Sequence, residues 1–163
     1  MEKDLKKYNG LKKFELLFSI LFITAVSVFS SYTFINSIIA IFKSRELVHS
    51  NNGYKVFFGI FGVGATTLVF FLAFFILILA IVFTVLLIAS YKHRNDNTKT
   101  YNVTSIIFLT ISFIYIGGIF SFYFILSKTI IELSIMILAQ LIVYIPLFIT
   151  KLIGIIYKNK VIG

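Results

Sequence analysis

Cysteine and tryptophan are absent from this 163-residue chain, and proline occurs once, at Pro146. Without cysteine there can be no disulfide, no thiolate metal site and no thiol nucleophile. Charge is also scarce. Charged residues make up 13% of the chain, about half the share in a typical soluble domain. The two histidines, His49 and His93, fall in separate polar connections expected on opposite faces of a membrane, so they share neither a metal nor a catalytic triad. Asp96 and Glu132 are divided in the same way, which excludes a simple pair of catalytic carboxylates. The glycines of GIFGVGA do not follow a strand and so lack the order that a phosphate-binding loop requires. No catalytic constellation is left, and the chain reads as a non-enzymatic protein with no cofactor and no metal.

Hydrophobic residues fill the space: they form 60% of the chain, and 18% of all residues are aromatic. That composition implies lipid as the solvent. The apolar runs Phe14 to Phe42, Val56 to Tyr91, Val103 to Ser127 and Ile130 to Tyr157 are each long enough for a membrane-crossing helix, which needs about 20 residues. The predicted fold is therefore all-α, a single four-transmembrane-helix bundle over residues 1–163, with approximate spans 14–42, 60–91, 103–127 and 130–157. The second run exceeds one crossing, but Leu68 to Ile88 contains no Gly, Pro, Asn or Asp to turn a hairpin. A single span with an extra turn, or a tilted interfacial start near Gly59 to Gly64, is expected there. The first span follows a lysine-rich leader, yet it is too long for a signal peptide and reads as a retained anchor. In the leader, Leu5, Tyr8 and Leu11 form at most a short interfacial turn, which Gly10 weakens.

The formal net charge of +9 comes from basic residues at the flanks of these runs. Placing both termini in the cytoplasm assigns to that side five lysines of the leader, three basic residues between the second and third spans, and Lys151, Lys158 and Lys160 of the last segment. These eleven stand against four on the other side, and the positive-inside rule favours that orientation. The basic residues form no stripe with interleaved aromatics, so nucleic acid is not an expected partner. Abundant Phe, Ile, Lys, Asn and Tyr beside few Ala fit a bacterial source and place the chain in the cytoplasmic (inner) membrane.

Small residues mark helix faces that can approach closely in lipid. Thr24, Ser27, Ser30, Ser31 and Ser37 form such a stripe on the first span, Thr110, Gly117 and Ser121 on the third, and Ala139, Pro146, Thr150 and Gly154 on the fourth. These stripes are expected to be bundle seams. The echo of FSSY (Phe29 to Tyr32) in FSFY (Phe120 to Tyr123) carries no repeat, since the second and fourth spans do not align with it.

No Asp, Glu, Lys, Arg or His occurs between Leu16 and Ala40, between Val63 and Ser90, or between Val103 and Leu126. The candidate intramembrane polar contacts are therefore Glu132, Gln140 and Tyr144 of the fourth span. Thr129 to Glu132 matches a T-x-x-E capping box, which would hold Glu132 at the helix start; a substrate- or partner-facing role is the other reading. Gln140 either bonds across the bundle, pairs with Tyr144 one turn on, or meets a ligand or partner. Pro146 is expected to kink its helix. The expected function is contact with other proteins in the bilayer, as an accessory subunit or an immunity-type protein, with lipid and another membrane protein or a second copy as partners. The alternative is a small transporter or channel subunit, oligomeric, with Glu132, Gln140 and Tyr144 along its pathway.

Overall fold

The computed structural model describes residues 2–94, 98–126 and 131–162, with side chains described for 10–94, 99–121 and 134–157. The chain is all-helical: α1 (Glu2–Val48), α2 (Gly53–Lys92), α3 (Thr98–Leu126) and α4 (Ile131–Ile162). Each contains a segment long and apolar enough to cross a membrane, namely Gly10–Val48, Gly53–Lys92, Lys99–Ser121 and Ser134–Tyr157.

The helices outrun the predicted spans where the sequence offered weak stops. The lysine-rich leader is not an isolated turn but part of α1, which runs through Gly10 without a break. α2 likewise starts well before residue 60 and passes straight through the glycines at 59, 62 and 64. Its true start is set by Asn52, whose side-chain oxygen accepts from the Tyr54 amide at 3.0 Å while its carbonyl accepts from Val56 at 3.0 Å, an N-cap arrangement. The Ser50 amide closes the end of α1 on the Leu47 carbonyl. α4 continues on both sides of Pro146.

The chain divides into two compact units, Met1–Ala25 with Ile81–Gly163, and Val26–Ala80. In the first, segments of all four helices meet around Phe22, whose ring centre lies 5.6 Å from Phe83, 6.3 Å from Phe108, 6.2 Å from Tyr115 and 5.6 Å from Tyr144. Buried positions recur at alternating steps of four and three. They are Glu15, Ser19 and Phe22 on α1, Phe83, Leu87, Ser90 and Arg94 on and just after α2, Tyr101, Ser105, Phe108, Ser112 and Tyr115 on α3, and Gln140, Tyr144, Leu147, Lys151 and Gly154 on α4. That spacing is the seam of left-handed helix packing. Its chemistry is inverted relative to a soluble bundle: serines, ions and aromatics lie inside, while Leu17, Ile20, Val85, Ile106, Phe113, Ile142 and Ile145 face outward.

The predicted small-residue seams coincide with this packing only in part. Ser30, Ser37 and Gly154 are buried, whereas Thr24, Thr110, Gly117, Ser121 and Ala139 are exposed. Thr110, Gly117 and Ser121 therefore face away from the bundle. Ser121 satisfies its hydroxyl on its own helix, at the Gly117 carbonyl.

The second unit is a helical hairpin made by α1 after residue 25 and α2 up to residue 80. Phe34 packs on Phe70 with ring centres 4.7 Å apart. Near the turn the backbones come closer still, because a Cβ at Gly59 would sit 2.7 Å from the Val48 nitrogen and 2.9 Å from the Ser44 oxygen. A Cβ at Gly62 would sit 2.7 Å from the Ser44 hydroxyl, while one at Gly64 meets nothing within 4 Å. The two substitutions should therefore diverge in thermal unfolding followed by circular dichroism in detergent. Gly59→Ala must push α1 backbone aside and lowers stability by about 1–3 kcal/mol. Gly64→Ala leaves it unchanged or raises it by up to about 1 kcal/mol through helix propensity; equal effects at both positions would contradict the close approach.

Candidate functional site

The most concentrated polar chemistry among the described residues is at one end of the first unit, around Glu15. This residue is the second of the apolar run that begins at Phe14, lies within the membrane-length segment Gly10–Val48, and is 3% exposed. Its Oε1 accepts from the Lys151 ammonium of α4 at 3.0 Å. Its Oε2 accepts from the Arg94 guanidinium, which folds back from the turn after α2, and from the Tyr101 hydroxyl of α3 at 3.0 Å. One carboxylate thus binds a group from the other three helical segments.

Each local placement has a cause. Arg94 follows the end of α2, where its own amide still bonds the Tyr91 carbonyl and where the helix's negative pole favours a cation. Tyr101 is in the first turn of α3, so its ring reaches across the bundle end. Lys151 lies in the apolar stretch FITKLIGII of α4 and is fully buried. Gly154, one turn further, makes room: a Cβ there would come within 2.6 Å of the Tyr101 hydroxyl and 3.3 Å of Glu15 Oε2. Ser19 adds no demand of its own, since its hydroxyl donates to the Glu15 carbonyl.

Two cations on one carboxylate leave an excess positive charge. Aromatic faces share it, with the Lys151 nitrogen 4.7 Å from the centre of the Phe108 ring and the Arg94 guanidinium carbon 5.4 Å from that of Tyr101. In so dry a setting the attraction is strong, but so is the cost of removing the ions from water. The carboxylate is held on both oxygens, so the arrangement is suited to fixing four helices in register. It is poorly suited to offering a free base or a metal ligand. Among the described residues no three His, Asp or Glu side chains gather where they could hold a metal.

A second polar contact lies deeper. The Tyr115 hydroxyl of α3 donates to Gln140 Oε1 of α4 at 2.8 Å, and both residues are buried. This is a bond across the bundle, between α3 and α4. Tyr144 does not pair with it and instead packs its ring against Phe22 and Phe148. Gln140 Nε2 has no partner among the described residues. Glu132 is in the first turn of α4, but its side chain and the whole of Thr129 lie outside the described residues.

The cluster adds Glu15, Arg94 and Lys151 to the charged residues of interest, beside Glu132 of the fourth span. Glu15 and Lys151 both stand near the ends of apolar runs, where charges read as flanks. The available signal was their apolar neighbours on each side, FELLF and ITKLI, together with their positions on the seam. Arg94, placed in a connection, gave no such signal.

Removing Glu15 strands two buried cations, so Glu15→Gln should cost about 3–5 kcal/mol in thermal or denaturant unfolding in detergent. The Tyr115 and Gln140 contact behaves differently. Replacing both, as Tyr115→Phe with Gln140→Leu, leaves stability within about 1 kcal/mol of the parent, because an apolar pair replaces a hydrogen bond with no orphan left behind. A loss as large as that of Glu15→Gln would contradict this ranking.

In comparisons with known proteins, no family model, no curated protein and no solved structure matches this chain.

Proposed function

We propose that the chain is a multi-pass protein of a bacterial cytoplasmic membrane, with both termini on the cytoplasmic side. It acts through contacts with other membrane proteins, as an accessory subunit or an immunity-type protein, and not as an enzyme. The observation that carries this reading is the filling of the bundle. The rings of Phe22, Phe83, Phe108, Tyr115 and Tyr144 pack against one another in the middle of the first unit. A solute crossing through a single copy would have to displace them. The outward face, rich in Phe, Ile and Leu, supports a lipid environment.

The charge pattern supports the orientation even after the buried residues are set aside. Without Arg94 and Lys151, which Glu15 engages, nine basic residues remain on the side of the termini and four on the other. The second reading, a subunit of an oligomeric transporter or channel, draws on Glu15 itself. An ionisable group inside a membrane span is a functional candidate by default. Its engagement with two cations and a tyrosine favours a structural role.

The absence of native cysteine makes the orientation directly measurable. In single-cysteine variants, Asn51→Cys should react with a membrane-impermeant maleimide on intact cells, and Lys92→Cys only after permeabilisation. The reverse pattern would invert the proposed topology. For the activity, the purified chain alone in liposomes should pass protons and potassium no faster than empty vesicles. A flux that survives Glu132→Gln and disappears in Glu15→Gln would replace the contact reading by the transport reading.

A further inference from the structure

The hairpin unit holds a cavity of about 410 Å³ lined by Arg45, Val48 and His49 of α1 and Ile60 and Val63 of α2. Its construction follows from the close approach described above. Ser44 and Val48 face Gly59 and Gly62, where the backbones nearly touch. Moving one residue along each helix gives Arg45 and His49 on one wall and Ile60 and Val63 on the other. The groove thus lies beside the seam where these glycines let the helices approach.

The groove has two chemically different walls. Arg45 and His49 are exposed and are one turn apart at the end of α1, next to the polar turn Ser50, Asn51 and Asn52. Ile60 and Val63 lie two turns or more inside α2, in its apolar stretch. Lys43 and Lys55 flank the basic wall, and Glu46 is the single acidic residue between residues 43 and 55. A ligand that matches both walls carries a negative charge on the side of α1 and an apolar chain on the side of α2.

We propose that this groove binds an anionic phospholipid of the surrounding bilayer. The phosphate sits between Arg45 and His49, and an acyl chain lies along Ile60 and Val63. Arg45 presents a planar fork of donors suited to phosphate oxygens, and basic side chains at a membrane surface attract anionic headgroups. The proposal rests on the membrane location given above and on no assumption about the protein's partner.

The test uses the full chain reconstituted into vesicles of phosphatidylcholine with one-fifth phosphatidylglycerol carrying a photoreactive diazirine on its acyl chain. Crosslinks should map to the α2 segment containing Ile60 and Val63, and unlabelled phosphatidylglycerol should compete for them while phosphatidylcholine does not. Arg45→Gln with His49→Gln should reduce that crosslink by about fivefold or more, and Arg45→Lys should keep most of it. Both side chains are exposed, and Lys92→Gln with Lys99→Gln, which alters basic charge elsewhere, should leave the crosslink unchanged. Equal labelling of the parent and the Arg45→Gln, His49→Gln variant would overturn the proposal. So would equal competition by phosphatidylcholine, and displacement by millimolar inorganic phosphate would show a site for a free anion instead. A chain that fails to enter vesicles of any composition would refute the membrane location, an outcome distinct from incorporation without selective labelling.

Discussion

A carboxylate buried among apolar helices cannot stand alone, and the first unit is organised around that constraint. Glu15 requires partners for both oxygens, and it finds them on three different segments: Lys151, Arg94 and Tyr101. The partners bring constraints of their own. Lys151 lies over the Phe108 face, and the Tyr101 hydroxyl and Glu15 Oε2 occupy space that the glycine at position 154 leaves free. Arg94 must fold back from the end of α2 to reach the carboxylate. In hydrocarbon, where helices gain nothing by hiding apolar surface from one another, such directional contacts and tight packing supply the specificity that burial supplies in water. The ion cluster fixes the end of the bundle, and the aromatic rings around Phe22 fill the layer next to it.

Much of the architecture was legible in the sequence because hydrophobic length is a coarse signal. Four runs gave four helices, since the bilayer dimension alone dictates how many apolar residues a crossing requires. The helix ends were less legible. α1 and α2 continue through Gly10 and the glycines around residue 60, and the boundary between the two helices lies at the polar turn, where Asn52 caps the start of α2. A glycine inside a helix marks either a weak point or a close neighbour, and Gly59 and Gly62 are close neighbours.

The interior was harder to read because in lipid the usual pattern is turned over. Nearly every residue of a span is apolar, so an apolar stripe cannot reveal which face packs inward. The rare polar residues can, once they are placed on alternating steps of three and four. Glu15 and Ser19 extend to Phe22, and Tyr101 and Ser105 to Ser112 and Tyr115. Gln140 and Tyr144 extend to Lys151 and Gly154. Gln140 was identifiable alone, as an amide deep in a span. Glu15 and Lys151 were not, because charges near the end of a hydrophobic run ordinarily mark the interface. Stripes drawn from small residues alone put Thr110, Gly117 and Ser121 inside, whereas the seam of α3 runs through Tyr101, Ser105, Phe108, Ser112 and Tyr115.

The account stands on the claim that Glu15 and its cations form one interacting unit and not a set of coincidentally buried charges. The direct measurement is a double-mutant cycle of Glu15→Gln and Lys151→Met, read as unfolding free energies in detergent. The account predicts that the two changes together cost less than the sum of each alone, with a coupling of about 2 kcal/mol or more. Additive costs, with a coupling near zero, would show that the carboxylate and the ammonium do not depend on each other, and the central claim would fall.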